Sequence, residues 1–392
     1  MDSVYFDNSA TTRMDKRVID CMLPFFDTKF GNASSMHSFG REAYDALEEA
    51  RGKTAKAIGA LPREIVFTSG GTESDNLALQ GAAFANRERG NHIITSAIEH
   101  HAVLHTCHFL EGQGFRVTYL PVDAGGLVDV ESVKKALTKE TILVSIMTAN
   151  NEVGTIQPIR EIGALVAETG ALFHTDAVQT VTKLPMDVEK NNVQLLAISA
   201  HKFHGPKGVG ALYVRKGVKL RPVVYGGGQE KGLRSSTENV PGIIGLAKAM
   251  ELGMEEMGES VERMTGIRER IIDGTLSSIG GCHLNGHRER RLCNNAHFRF
   301  DMVEGEALVL SLDMKGFATS TGSACSTRST ETSHVLKALG VRPEDSRGSL
   351  RISLSKFNSM EEADRFLEVI PEVIGRLRSL VPSSARASKG GG

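Results

Sequence analysis

Residues 60 to 215 alternate two textures. Short apolar, β-branched runs recur at Ile65-Val66-Phe67-Thr68, His92-Ile93-Ile94-Thr95, Val117-Thr118-Tyr119-Leu120, residues 141–147, Leu172-Phe173-His174 and Leu195-Leu196-Ala197-Ile198. Between most of them, apolar positions spaced by three or four residues predict helices, over residues 76–86, 101–110 and 159–168. Strands that are apolar without alternation imply a mainly parallel sheet covered on both faces. Ligands of such sheets gather beyond the carboxyl ends of the strands.

From about residue 245 the texture changes. The pattern predicts one long helix over residues 244–277, then a strand (296–300), a helix (304–312), a Ser/Thr/Gly-rich loop, a strand (350–354) and a terminal helix (360–380). This reads as a smaller α+β domain. The expected division is a large domain over residues 16–250, a small one over 1–15 and 251–380, and a disordered, low-complexity tail over 381–392.

With 392 residues the chain is too long for one simple core and fits two domains. Lys plus Arg, 46, nearly cancel Asp plus Glu, 47, so no overall field attracts nucleic acid or an acidic membrane. A small anionic ligand must therefore be held locally. No apolar stretch approaches the roughly 20 residues that cross a bilayer, and no secretory signal opens the chain, so the expected location is cytoplasmic. The five cysteines (Cys21, Cys107, Cys282, Cys293 and Cys325) are odd in number and unclustered, which argues against a disulfide framework and a Cys-x-x-Cys metal site.

Five segments carry candidate chemistry. In Thr68-Ser69-Gly70-Gly71-Thr72-Glu73-Ser74 an apolar strand runs through two glycines into a helix; this reads as a phosphate cradle, or as a plain turn before a helix capped by Thr72 or Ser74. Asp176 closes an apolar strand, where a carboxylate needs a cation partner unless it serves as the N-cap of the next turn. Lys202, in Ser199-Ala200-His201-Lys202, comes just after another apolar strand, where partial desolvation suits a Schiff-base amine. His100 sits between strand and helix, as a stacking imidazole or as a cap. His101 and His105 lie four apart, but no Glu completes a zinc pattern. Cys325 lies in residues 319–330, a run almost free of apolar bulk, which reads as an exposed or mobile thiol rather than a structural one.

The order of these segments matches fold-type I pyridoxal-phosphate enzymes, and the chain resembles cysteine desulfurases of the NifS/IscS type within the class V aminotransferase family. The motifs are Thr68-Ser69-Gly70-Gly71-Thr72-Glu73-Ser74, Glu99-His100, Asn150-Asn151-Glu152-Val153-Gly154, His174-Thr175-Asp176-Ala177-Val178-Gln179, residues 199–208 with Lys202, Gly232-Leu233-Arg234-Ser235-Ser236-Thr237, and Gly322-Ser323-Ala324-Cys325. The resemblance implies a large domain with a mainly parallel seven-stranded sheet and a smaller α+β domain. It also implies the cofactor pyridoxal 5'-phosphate, linked to Lys202. Asp176 would pair with the pyridine nitrogen and His100 would stack on the ring. Gln179 and Asn151 would bond the ring hydroxyl region, and Gly71, Thr72, Ser199 and His201 the phosphate. Thr237 would reach the phosphate of the neighbouring subunit of a homodimer. Arg351, with Asn151 nearby, would hold the substrate carboxylate.

The implied reaction takes sulfur from L-cysteine, leaving L-alanine and a persulfide on Cys325, with His100 as proton acceptor for that thiol. The implied sulfur acceptor is an iron–sulfur scaffold of the IscU kind. No resident metal is expected; whether Cys325 ligates a cluster in such a complex stays open. The alternatives are a selenocysteine lyase or another aminotransferase-like enzyme, and a non-catalytic assembly platform.

Overall fold

A computed structural model describes residues 3–322 and 333–380. Cys325 and the tail over 381–392 lie outside the described residues.

The strands are β1 (Val4–Tyr5), β2 (Ile65–Thr68), β3 (His92–Ser96), β4 (Arg116–Leu120), β5 (Thr141–Ser145), β6 (Leu172–Asp176), β7 (Leu195–Ser199), β8 (Gly210–Val214), β9 (Cys282–Asn285), β10 (Asn295–Phe300), β11 (Phe317–Ala318) and β12 (Ser349–Ser353). The helices used below are α1 (Gly71–Asn86), α2 (His101–Gly112), α3 (Val240–Glu255), α4 (Met257–Ser278), α5 (His334–Ala338) and α6 (Met360–Ser379).

Seven strands form the large sheet in the order β2-β8-β7-β6-β5-β3-β4. All pairs are parallel except those of β8, which runs antiparallel to both β2 and β7. The expected mainly parallel sheet is present. The apolar runs are continuous because neighbouring residues serve opposite faces. Ile65, Phe67, Ile94, Val144 and Leu196 join the core on one side, and Val66, Ile93, Leu143 and Leu195 the core on the other. Burying each such side chain contributes roughly 1.5–3 kcal/mol, so the strand ends are anchored firmly.

A second, antiparallel sheet, β12-β10-β9, carries its own core with Phe298, Phe300, Leu350, Ile352 and Phe366 of α6. The N-terminus is threaded into it: β1 pairs with β11, and Asp7 bridges to Ser353 of β12.

Two expectations are corrected. The long helix over 244–277 is two helices, α3 and α4, divided at Glu256. The Glu256 carboxylate reaches Arg17 and Lys356, each at 2.7 Å, so tertiary ion pairing claims the residue at the break. The helix over 76–86 begins five residues earlier, at Gly71, and neither Thr72 nor Ser74 caps it. Ser74 Oγ instead lies 2.8 Å from Thr68 Oγ1. Among the described residues, no helix is long and apolar enough to cross a membrane.

Candidate active site

The carboxyl ends of β2, β3, β5, β6 and β7 open into a cavity of about 370 Å³, within the usual range for small-molecule sites. Ten of the expected residues line it: Gly71, Thr72, His100, Asn151, Asp176, Gln179, Ser199, His201, Lys202 and Arg351. They come from six separated stretches of chain, and the strand ends bring them together. Thr237 is exposed and does not line the cavity of its own chain. Cys325 lies outside the described residues, but Gly322 and His334, near either end of its segment, both line the cavity. Of the other cysteines, Cys107 and Cys293 are buried, as small hydrophobes would be, whereas Cys21 and Cys282 are only partly so.

At one end α1 starts at Gly71 with no side-chain cap. Its first N–H groups and the positive end of its dipole therefore face the cavity, which suits an anion. A Cβ on Gly71 would meet Val178 Cγ2 at 2.7 Å, so glycine is what lets this turn pack against the segment after β6. Ser199 and His201 line the same cavity. Burial, then the charges of Lys202 and Lys207, holds His201 neutral, with its pKa lowered to about 4.

In the middle, Asp176 ends β6. Its Oδ1 accepts from Val178 N at 2.8 Å, so it caps the next turn and also faces the cavity. Burial pushes its carboxyl up to about 6, against the opposing pull of the Val178 N–H and the Lys202 charge. Behind it Asp75 Oδ1 and His174 Nε2 face each other at 3.5 Å, both fully buried and without a hydrogen bond. Such a carboxyl cluster calls for a cation or proton donor in the cavity. Lys202 supplies an amine, donating from Nζ to Ser9 O (2.5 Å) and Ala10 O (2.8 Å).

His100 takes the cap role the sequence allowed. It is the N-cap of α2, its Nδ1 accepting from Ala102 N at 3.1 Å, and it lines the cavity. Burial, then the Lys202 charge, lowers its pKa to about 4. The cap occupies the Nδ1 lone pair, so the neutral ring carries its proton on Nε2. The expectation that His100 accepts the Cys325 proton involves a residue outside the described ones; in the neutral ring Nε2–H is a donor. His101 packs 4.9 Å from His105 and 4.7 Å from His334, centroid to centroid. Among the described residues, no group of His, Cys, Asp and Glu could hold a metal ion.

At the other end Arg351 is almost fully buried. Its Nη1 donates to Asn151 O (3.1 Å) and Gly322 O (2.8 Å), its Nη2 to Asp7 (2.7 Å), and its Nε has no hydrogen bond. Gly322 has φ +107, and a Cβ there would meet His297 Nε2 at 2.7 Å. Glu152 accepts from Ser333 Oγ at 2.6 Å. Sequence reasoning missed Ser9, Ala10, Asp75, Glu152 and His334 as cavity residues.

The cavity thus offers an uncapped helix start at one end, a buried carboxyl and an amine in the middle, and a guanidinium at the other end. Four similarities to known proteins bear on this. The aminotransferase class-V family matches residues 4–366. The cysteine desulfurase IscS of Methanosarcina thermophila is 55% identical over 380 residues, covering 97% of this chain and 94% of that protein. That of Dictyoglomus turgidum is 54% identical, covering 97% and 96%. A solved structure described as a NifS-like protein superposes with a TM-score of 0.90 at 45% identity, covering 95% of this chain and 100% of that one. The chain belongs to the aminotransferase class-V family.

Proposed function

We propose that this chain is a pyridoxal-phosphate-dependent cysteine desulfurase that takes sulfur from L-cysteine, releases L-alanine and holds the sulfur as a persulfide on Cys325. One observation carries the reading: Lys202, Asp176, His100 and Arg351, far apart in sequence, line one cavity.

The chain's own residues fit the cofactor. The uncapped start of α1, with Thr72, Ser199 and His201, would hold the phosphate. Asp176 would face the ring nitrogen, and its burial makes a protonated nitrogen the natural partner. Gln179 and Asn151 would bond the ring hydroxyl region, with Asn151 also near the substrate. Bound there, the cofactor supplies an aldehyde that condenses with amines and a ring that stores the electron pair left when the Cα proton departs.

Lys202 would carry the cofactor and, once displaced by substrate, take the Cα proton. Arg351 would hold the substrate carboxylate, where a guanidinium fork serves better than an ammonium. The Cys325 thiolate would attack the substrate sulfur; an S–S bond forms as the Cβ–S bond breaks, and its electron pair stays on Cβ, which is protonated as alanine leaves. His100, with its proton on Nε2, would be a donor close to these atoms. Cys325 follows Gly322, which lines the cavity, by three positions in the sequence. Thr237, exposed and away from its own cavity, supports a homodimer in which it completes the neighbour's phosphate site. The sulfur acceptor in this reading is an iron–sulfur scaffold of the IscU kind.

The test is mass spectrometry of Cys325 after incubation with L-cysteine. One added sulfur atom on that residue is expected. An unmodified Cys325 in yellow, alanine-producing enzyme would overturn the persulfide step. Colourless protein that gains no absorbance with added pyridoxal phosphate would overturn the whole reading.

A further inference from the structure

The N-terminal stretch from Asp7 to Thr12 touches both ends of the cavity. Backbone bonds lock it beside β12: Ser353 N donates to Phe6 O at 2.7 Å and Asn8 N to Ser353 O at 3.2 Å. Asn8 Nδ2 adds a bond to Ser353 O at 2.9 Å, and Ser9 N donates to Ser353 Oγ at 2.8 Å. From this fixed position Asp7 Oδ1 takes a proton donor of Arg351 at 2.7 Å, and the carbonyls of Ser9 and Ala10 take Lys202 Nζ. At its far end Thr12 N and Oγ1 both reach His201 O at 2.9 Å.

A guanidinium has five N–H donors. In Arg351, Asn151 O and Gly322 O use Nη1, and Asp7 uses one donor of Nη2. The buried Nε has no hydrogen bond, and the second Nη2 donor remains. A carboxylate answers two such donors with its two oxygens. Asp7, with a side chain only 20% exposed, stands beside an arginine that is 2% exposed. An anion held by the backbone at that distance fixes which way the guanidinium turns.

We propose that Asp7 is a positioning residue for substrate: it orients Arg351 so that Nε and the free Nη2 donor face the α-carboxylate of the incoming amino acid. The proposal rests on the reading of Arg351 as the carboxylate receiver. The same short segment spans from Arg351 to Lys202, so it also sets the spacing between the group that holds the carboxylate and the amine that reacts beside it. Without Asp7 the substrate itself must order the guanidinium, and affinity falls by that ordering cost.

The experiment uses holoenzyme and two ligands, L-cysteine and cysteamine, which lacks the carboxylate. Binding is followed by the absorbance change, and turnover by alanine release. Asp7→Ala is expected to raise KM and the dissociation constant for L-cysteine about tenfold, with kcat within about twofold and cysteamine binding unchanged. Asp7→Asn, which keeps an acceptor oxygen in place, should bring KM back to within about threefold. Should Asp7→Ala not fold, Asp7→Glu carries the test: it shifts the carboxylate by one methylene and should raise KM for L-cysteine alone. An unchanged or lowered KM in the variant measured overturns the proposal, as does equal weakening of cysteamine. Arg351→Lys separates the two layers. An unchanged KM there overturns the reading of Arg351 and the proposal with it; a raised KM there beside an unchanged one in Asp7→Ala overturns the proposal alone.

Discussion

The two walls of the cavity are built by different means. The sheet wall is a row of strand ends: Asp176 and Ser199 are the last residues of β6 and β7, and Lys202 comes three positions after β7. Apart from Leu172 at the start of β6 those strands are buried, so packing on both faces fixes where the side chains stand. The opposite wall, from β10, β12, the N-terminal stretch and α5, meets the sheet wall through a small apolar cluster, in which Val335, Leu336 and Leu339 pack with Ile98, Met147 and Val153, and otherwise through polar bonds. Arg351 binds Asn151 O, Ser333 binds Glu152, Asn295 binds Glu152 O and Arg291 binds Val153 O. The functions divide along the same line. Residues proposed to hold and tune the cofactor stand on the sheet wall, and Arg351, proposed to receive the substrate carboxylate, on the other, with Asn151 proposed to serve both.

Substituting one residue of each kind is the largest test of that division. Lys202→Ala should lose both turnover and the borohydride-reducible yellow linkage, because amine and base vanish together. Cys325→Ser should lose sulfur release just as completely while keeping the spectrum of the bound cofactor. A Cys325→Ser enzyme with full cysteine activity would join the two functions again and remove the persulfide step.

Asp176→Asn sharpens the sheet side. Removing one partner of a buried charge pair costs roughly 3–5 kcal/mol, which is a fall of about 10²–10⁴ in cofactor affinity. Dialysis and then absorbance read it directly. A variant that holds the cofactor as firmly as the parent would show that Asp176 serves only as the cap for Val178.

The sheet wall was largely legible in the sequence, and the polar wall was not, for one physical reason. Continuous apolar runs mark buried parallel strands, and a charged residue at the end of such a run, as at Asp176 and Lys202, stands out against them. Asp7, Ser9 and Ala10 carry no such contrast. Their partners Arg351 and Lys202 lie 344, 193 and 192 positions away, and only the folded chain brings them together. Arg351 was found through resemblance alone, since a single arginine in a strand has no local signature. Strand β8 was missed because Gly210-Ala211-Leu212-Tyr213-Val214 comes after a glycine-rich turn without the helix that announces a parallel strand. Its antiparallel course explains why no helix is needed.

The smallest effect tests where the walls meet, at Glu99. Its carboxylate accepts from Ser96 Oγ at 2.6 Å and from Met147 N at 3.0 and 3.1 Å, while its carbonyl accepts from His334 Nε2 at 2.9 Å across the seam. Burial raises its pKa from 4.5 to about 8. The folded chain then holds this proton more tightly than the unfolded one. The resulting stability is fully present below pH 4.5 and is lost as pH rises towards 8, at no more than about 1.4 kcal/mol per pH unit. Buried His174 and His297, lowered to about 3, act in the opposite sense: their contribution is present above pH 6.5 and is lost on acidification. Above pH 6.5 the histidines have finished titrating, so the Glu99 slope stands alone of the three. Glu99→Gln keeps the shape and the neutral state, so thermal midpoints between pH 6.5 and 8 should decline less steeply than in the parent, with equal acid losses below pH 4. Parallel pH profiles for the two proteins would show that Glu99 is already ionised in the fold.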